Sequence, residues 1–151
     1  MPTAHSEIAA PRQLAAIRVI TTQAELGAAI IGALDKIWPA LRAQAAKTGH
    51  NVVIYRGGTD TTLTVDVGVE TTATFPAEGE IVTVTTPSGE VATVAHFGDY
   101  SELDGAYAAL EQWCADNNRA HGVSWEVYGD WEDEPARRRT DIYFLLEPAA
   151  G

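Results

Sequence analysis

A pattern occurs twice along this sequence. Glu25-Leu26 opens an amphipathic stretch, Val52-Val53-Ile54-Tyr55 follows, and Val65-Asp66-Val67 closes the first copy. Glu102-Leu103, Trp125-Glu126-Val127-Tyr128 and Thr140-Asp141-Ile142 run in the same order. The Glu-Leu to Tyr separation is about 30 residues in one copy and about 26 in the other, and Tyr to Asp is about 11 and about 13. A period of this length marks one supersecondary unit used twice. Each copy reads as strand, helix, strand, strand. Two such units predict an α+β fold: a largely antiparallel sheet with two helices on one face.

Local patterns supply the elements. Residues 1–11 end at Pro11 without periodicity and read as a flexible N-terminal arm, so the domain is expected over 12–148, with half-repeats of about 12–70 and 80–148. Arg12 to Ile20 reads as a strand. Leu26, Ile30, Leu34, Ile37 and Leu41 form one helical stripe between Gln23 and Lys47. Thr22 is placed to cap that helix, Gly49 to end it and Pro39 to kink it. Asn51–Tyr55 and Leu63–Val69 read as strands, and Ile81–Thr86 with Val91–His96 as a hairpin around Pro87-Ser88-Gly89. Leu103, Tyr107, Leu110 and Cys114 share one face of a second helix, capped by Ser101 and ended by Gly122. Trp125–Tyr128 and Asp141–Leu146 complete the strands.

Composition narrows the function classes. The chain has 151 residues, 46% of them hydrophobic, which is enough for one domain with a real core. Ten basic against 21 acidic residues give a formal charge of -11, a field that repels phosphate backbones, so no direct nucleic-acid contact is expected. Cys114 is the single cysteine, which excludes an internal disulfide and fits a reducing cytoplasm. No apolar run reaches the roughly 20 residues of a membrane span, and no signal-peptide pattern opens the chain. His5, His50, His96 and His121 lack metal-ligand spacing, and no phosphate-loop, dinucleotide or nucleophile-elbow motif occurs, so neither metal nor cofactor is expected.

Strand alternation selects the candidate site residues. Asp66 is out of phase with Val65 and Val67; Glu126 and Tyr128 share a face; Asp141 and Tyr143 share a face, opposite Ile142, Phe144 and Leu146. Placed together on the helix-free side, at a seam between the repeats, these acids and tyrosines suit a flat, apolar cation. Each ring contributes about 0.5–2 kcal/mol by cation–π contact. A carboxylate supplies the charge selection. Trp38, Trp113 and Trp125 read as packing, whereas Trp131, between Asp130 and Glu132, is placed to close over a cleft. Arg137-Arg138-Arg139 reads as a solvated strand entry paired with the acidic loop before it.

The order His96-Phe97-Gly98-Asp99-Tyr100, Leu103, Ala106-Tyr107 and Trp113, with Trp125-Glu126-Val127-Tyr128 and Arg139-Thr140-Asp141-Ile142-Tyr143, resembles the second half of the GyrI-like small-molecule-binding family. Tyr55 and Val65-Asp66-Val67-Gly68-Val69 resemble its first half more loosely, and the likeness runs from Gln13 to Glu147. The resemblance implies two fused strand–helix–strand–strand units with a pocket where they meet. Such domains serve as effector-binding parts of AraC- and MerR-type regulators and take lipophilic cations on aromatic residues and a buried acid. By position it implies ligand-binding roles for Tyr55, Asp66, Trp125, Glu126, Tyr128, Asp141 and Tyr143. Leu145-Leu146 stands where the family usually has a proline, and Asp141 is shorter than the usual glutamate.

The expectation is a stand-alone cytoplasmic protein that binds hydrophobic aromatic, cationic compounds, for sequestration or effector sensing. One alternative is a hydrolase of strained cyclopropane-type electrophiles using Glu126, Asp141, Tyr128 and Tyr143. The other is a protein-interaction module of the gyrase-inhibitor kind.

Overall fold

The computed structural model describes residues 3–72 and 79–148. In chain order the elements are β1 (His5–Ala9), β2 (Gln13–Thr21), α1 (Leu26–Ala43), β3 (Thr48–Gly58), β4 (Leu63–Thr71), β5 (Val82–Thr85), β6 (Gly89–Phe97), α2 (Leu103–Asp116), β7 (His121–Tyr128) and β8 (Arg139–Leu146). Short 3₁₀ turns occupy Tyr100–Glu102 and Pro135–Arg137. The fold is α+β, and the pairings within its two compact units are antiparallel.

The first unit is Pro11–Thr86 and orders its strands β3-β4-β2-β5. β-branched residues dominate its core: Ile17, Val53, Val65, Val67 and Val69 are buried, as are Ala33, Ile37 and Leu41 on one face of α1. Each large aliphatic side chain buried this way contributes about 1.5–3 kcal/mol. The Trp38 Nε1–H donates to Asn51 Oδ1 at 3.0 Å, so α1 covers the face of β3 that carries Asn51, Val53 and Tyr55. Gly68 lets β2 come close, because a Cβ there would lie 2.9 Å from the Ala15 carbonyl oxygen.

The second unit combines Met1–Ala10 with Pro87–Gly151 and orders its strands β1-β6-β8-β7. Ala106, Leu110 and Cys114 of α2 pack on Ala92, Val94, Ile142, Phe144 and Leu146. Burial pushes the Cys114 thiol above its ordinary range, with the nearby Glu111 charge adding to the effect. A thiol reagent applied to the native protein is therefore expected to label Cys114 orders of magnitude more slowly than in denaturant. Equal rates would place the sulfur at the surface.

The internal repeat is visible in both units, each a strand, a helix and two strands extended by one edge strand. Both helices also finish alike. Ala45 (φ 50°) and Asn118 (φ 55°) take left-handed backbone, donating to the Arg42 and Ala115 carbonyls. The next residues, Ala46 and Arg119, donate to Leu41 and Cys114. Asparagine tolerates that conformation and alanine does not, since the Cβ crowds the carbonyl at a cost of about 1–2 kcal/mol. Ala45→Gly is expected to stabilise the protein by about 1 kcal/mol, raising Tm by roughly 2–4 °C in thermal unfolding.

Several expectations are corrected. The segment read as a flexible arm contains β1, whose residues pair with Gly89–Thr93. An exposed edge strand has no buried face and hence no alternation to read. Ile81–Thr86 and Val91–His96 do not form a hairpin: β5 pairs with β2, whereas β6 pairs with β1 and β8. The first unit therefore runs to Thr86 rather than to about residue 70. The left-handed residues that close the helices are Ala45 and Asn118, two positions beyond Ala43 and Asp116, while Gly49 and Gly122 lie within β3 and β7. Thr22 Oγ1 accepts from Glu25 N–H at 3.2 Å in the turn before α1, and Asp99 rather than Ser101 caps the turn before α2. α1 runs through Pro39; both Pro39 and Asp35 are exposed, so solvent replaces the missing bond to the Asp35 carbonyl.

Candidate functional site

Glu126 lies two residues before the end of β7 with only 3% of its surface exposed. A carboxylate so buried needs partners. The Tyr107 hydroxyl donates to Glu126 Oε2 and the Tyr128 hydroxyl to Oε1. The spacing of α2 brings Tyr107 there: it shares the helix face of Leu103, Leu110 and Cys114, and its ring lies 6.0 Å from that of Phe144. Tyr128 arrives from two residues along the same strand face. Both phenols donate, so the two bonds fix the orientation of the carboxyl group.

Further rings adjoin the two tyrosines and Phe144. Tyr100 meets Tyr128 edge-on at 5.5 Å and 80°. The turn that carries Tyr100 is set by Asp99 Oδ1, which accepts from Ser101 N–H, and by His96, whose Nε2 lies 3.0 Å from the Asp99 carbonyl. Gly98 (φ 146°) starts this turn, where a Cβ would crowd His96 Nε2 at 3.3 Å. His121 stacks on Phe144 at 4.1 Å. Thr140, paired with both Tyr128 and His96, is fully buried, and its hydroxyl has no hydrogen-bond partner among the described residues.

The expected convergence of acids on one face does not occur. Glu126 pairs with Ile142 and Tyr128 with Thr140, which places both on the side packed by α2. Asp141 and Tyr143 occupy the opposite face of the same sheet. There Tyr143 stacks on Trp125 at 5.2 Å and 11°, and Asp141 Oδ1 accepts from Arg139 Nε at 3.0 Å. In the first unit, Asp66 pairs with Ile54 while Tyr55 pairs with Val65, so those two candidates also point to opposite faces.

Asp66 is fully buried and accepts from Arg18 Nε at 2.8 Å, Arg18 Nη2 at 3.1 Å and Arg56 Nε at 2.8 Å. Desolvation, the largest single influence, pushes its pKa up; the hydrogen bonds and charges of the two guanidinium groups together outweigh it. They hold the carboxyl below its ordinary value. Trp131 does not close over anything: it is 63% exposed, with the Arg138 guanidinium 3.7 Å above its ring. Arg138 donates to the Glu132 carbonyl rather than to a carboxylate of the acidic loop. Among the described residues no three His, Cys, Asp or Glu side chains gather closely enough to hold a metal ion, and no helix is long and apolar enough to cross a membrane.

Of the residues singled out in the sequence, the structure brings Glu126 and Tyr128 together. Tyr107 joins them from the α2 stripe without having been a site candidate; a phenol in an otherwise apolar stripe was the available signal. Arg18 and Arg56 were missed as well, although an aspartate between buried valines calls for a cationic partner.

The GyrI-like small molecule binding domain family matches the chain over residues 9–147. The chain is similar to the EcmrR C-terminal domain in its crystal structure, with TM-score 0.78 and 20% identity over 99% of both chains. It is similar to EcmrR in its DNA complex with TM-score 0.82 and 20% identity, covering 98% of this chain but only 58% of that one. The structure of SAV2435 bound to tetraphenylphosphonium matches with TM-score 0.66 and 10% identity, over 95% of this chain and 93% of that one. At such identities these likenesses speak for the fold. No curated protein sequence matches the chain.

Proposed function

The chain belongs to the GyrI-like small-molecule-binding domain family, and we propose that it binds hydrophobic, aromatic cations at Glu126. The observation that carries this reading is the buried carboxylate of Glu126, oriented by the Tyr107 and Tyr128 hydroxyls, whose rings in turn meet those of Phe144 and Tyr100. The carboxylate selects charge, and the rings supply apolar area and cation–π contact. Asp141 and Asp66 accept hydrogen bonds from arginines, whereas Glu126 accepts from two phenols, and charge selection is assigned to Glu126. Such binding serves sequestration of a toxic compound or sensing of an effector for a partner protein.

The test is a titration followed by tryptophan fluorescence, comparing tetraphenylphosphonium with neutral triphenylphosphine oxide and an anionic dye. The expected result is saturable quenching at micromolar cation, with at least tenfold weaker response to the neutral and anionic compounds. Equal response to all three would remove charge selection from the site.

The same geometry supports a second reading, hydrolysis. In this reading Glu126 takes a proton from water as that water attacks a carbon of a cyclopropane conjugated to a carbonyl. The ring C–C bond breaks, and its electron pair passes to the carbonyl oxygen as an enolate. A phenol hydroxyl donates a hydrogen bond to that oxygen, and the proton held by Glu126 returns to the enolate carbon. A ring-opened product heavier by one water, formed by the wild type and not by Glu126→Gln, is the expected mass-spectrometric signature of that activity.

A further inference from the structure

We propose that Arg18 and Arg56, held together on Asp66, form a second binding site, for an organic carboxylate whose apolar body lies on Ile20. The two guanidinium groups share one acceptor, since Arg18 Nη2 and Arg56 Nε both donate to Asp66 Oδ2, at 3.1 and 2.8 Å. Their side chains are therefore fixed before any ligand arrives, which removes much of the ordering cost of binding.

The pairing leaves donors over. Arg18 already meets both carboxylate oxygens of Asp66 through Nε and Nη2, in the two-pronged geometry that guanidinium and carboxylate favour. Arg56 adds only its Nε, and neither of its terminal nitrogens hydrogen-bonds another described residue. Arg18 Nη1 is likewise outside the pair. One carboxylate against two guanidinium groups leaves a local net positive charge on a chain whose formal charge is -11. An arginine edge presenting two parallel N–H groups matches a carboxylate better than a point cation would.

The surroundings define the rest of the ligand. Ile20 lies two residues from Arg18 on the same face of β2 and is 71% exposed. It pairs with Thr64, which stands two residues from Asp66 on β4 and brings a hydroxyl to the same face. The arrangement offers a charged fork, a neutral donor and an apolar rest. It lies wholly in the first unit and owes nothing to Glu126.

Arginine Nε–H signals of ¹⁵N-labelled protein, titrated with benzoate, benzamide and acetate at low ionic strength, test the proposal. Benzoate is expected to shift the Arg18 and Arg56 signals saturably. Benzamide is expected to shift neither, and acetate to bind at least fivefold more weakly. Arg56→Gln keeps the Arg18–Asp66 pair and is expected to weaken benzoate at least tenfold. Should Arg56→Gln fail to fold, Arg56→Lys, which keeps the charge but loses the fork, is expected to weaken benzoate at least fivefold. An absent or non-saturable benzoate shift, equal shifts with benzamide, acetate as strong as benzoate, or an unchanged constant in the arginine variant would overturn the proposal.

Discussion

Glu126→Gln is expected to weaken binding of tetraphenylphosphonium at least tenfold while leaving neutral triphenylphosphine oxide within about twofold. Two unit charges about 4 Å apart at an effective dielectric near 20 attract by about 4 kcal/mol. Desolvation of both partners takes back much of that. A net loss of about 1.4–2.8 kcal/mol corresponds to tenfold to a hundredfold. Glutamine has the same shape: its carbonyl oxygen still accepts from one of the two phenols, and its amide NH2 donates to the oxygen of the other, whose hydroxyl hydrogen must turn away, so the fold is expected to survive. Far-UV circular dichroism checks that, and fluorescence titration reads the affinity. A variant binding the cation as tightly as wild type would move charge selection elsewhere.

The second large effect concerns Asp66. Replacing both Arg18 and Arg56 by alanine leaves a fully buried carboxylate without its two guanidinium partners. Breaking such a cluster from one side costs about 3–5 kcal/mol, and the lower end applies because the Arg18 side chain is more than half exposed. Urea unfolding measures the loss; less than about 1 kcal/mol would mean that water reaches the carboxylate. The pH dependence has a definite sign. The folded-state pKa of Asp66 lies below its ordinary value, so the cluster's contribution is present in full above that ordinary value. It is lost as pH falls through the depressed one. The acid limb of wild-type stability is therefore expected to be steeper than that of Asp66→Asn.

Much of this was legible in the residues, for identifiable reasons. Alternation in β8 separates Ile142 and Phe144 from Asp141 and Tyr143, and the stripe Leu103, Tyr107, Leu110 and Cys114 marks the packed face of α2. What failed was the phase between strands. Alternation assigns faces within one strand, whereas the pairing of Glu126 with Ile142 is a matter of register. Nothing local to Trp125–Tyr128 encodes that register, so Glu126 was placed with Asp141 when the two lie back to back. β1 was lost for a different cause: its stability comes from backbone pairing with β6, which leaves no mark on side-chain pattern.

The partition of edge strands has a consequence for synthesis on the ribosome. The first unit is contiguous, Pro11–Thr86, and can close as soon as β5 has emerged. The second unit draws β1 from the start of the chain and β6 from beyond Pro87. At a translation rate of roughly 5–20 residues per second, β1 waits roughly 4–16 s for its neighbour. Through that interval it trails as an unmatched ribbon bearing exposed Ile8, open to capture by a nascent neighbour on the same messenger. His5, Glu7 and the short length of β1 then act as safeguards, keeping the ribbon poor as a template until its own strand arrives.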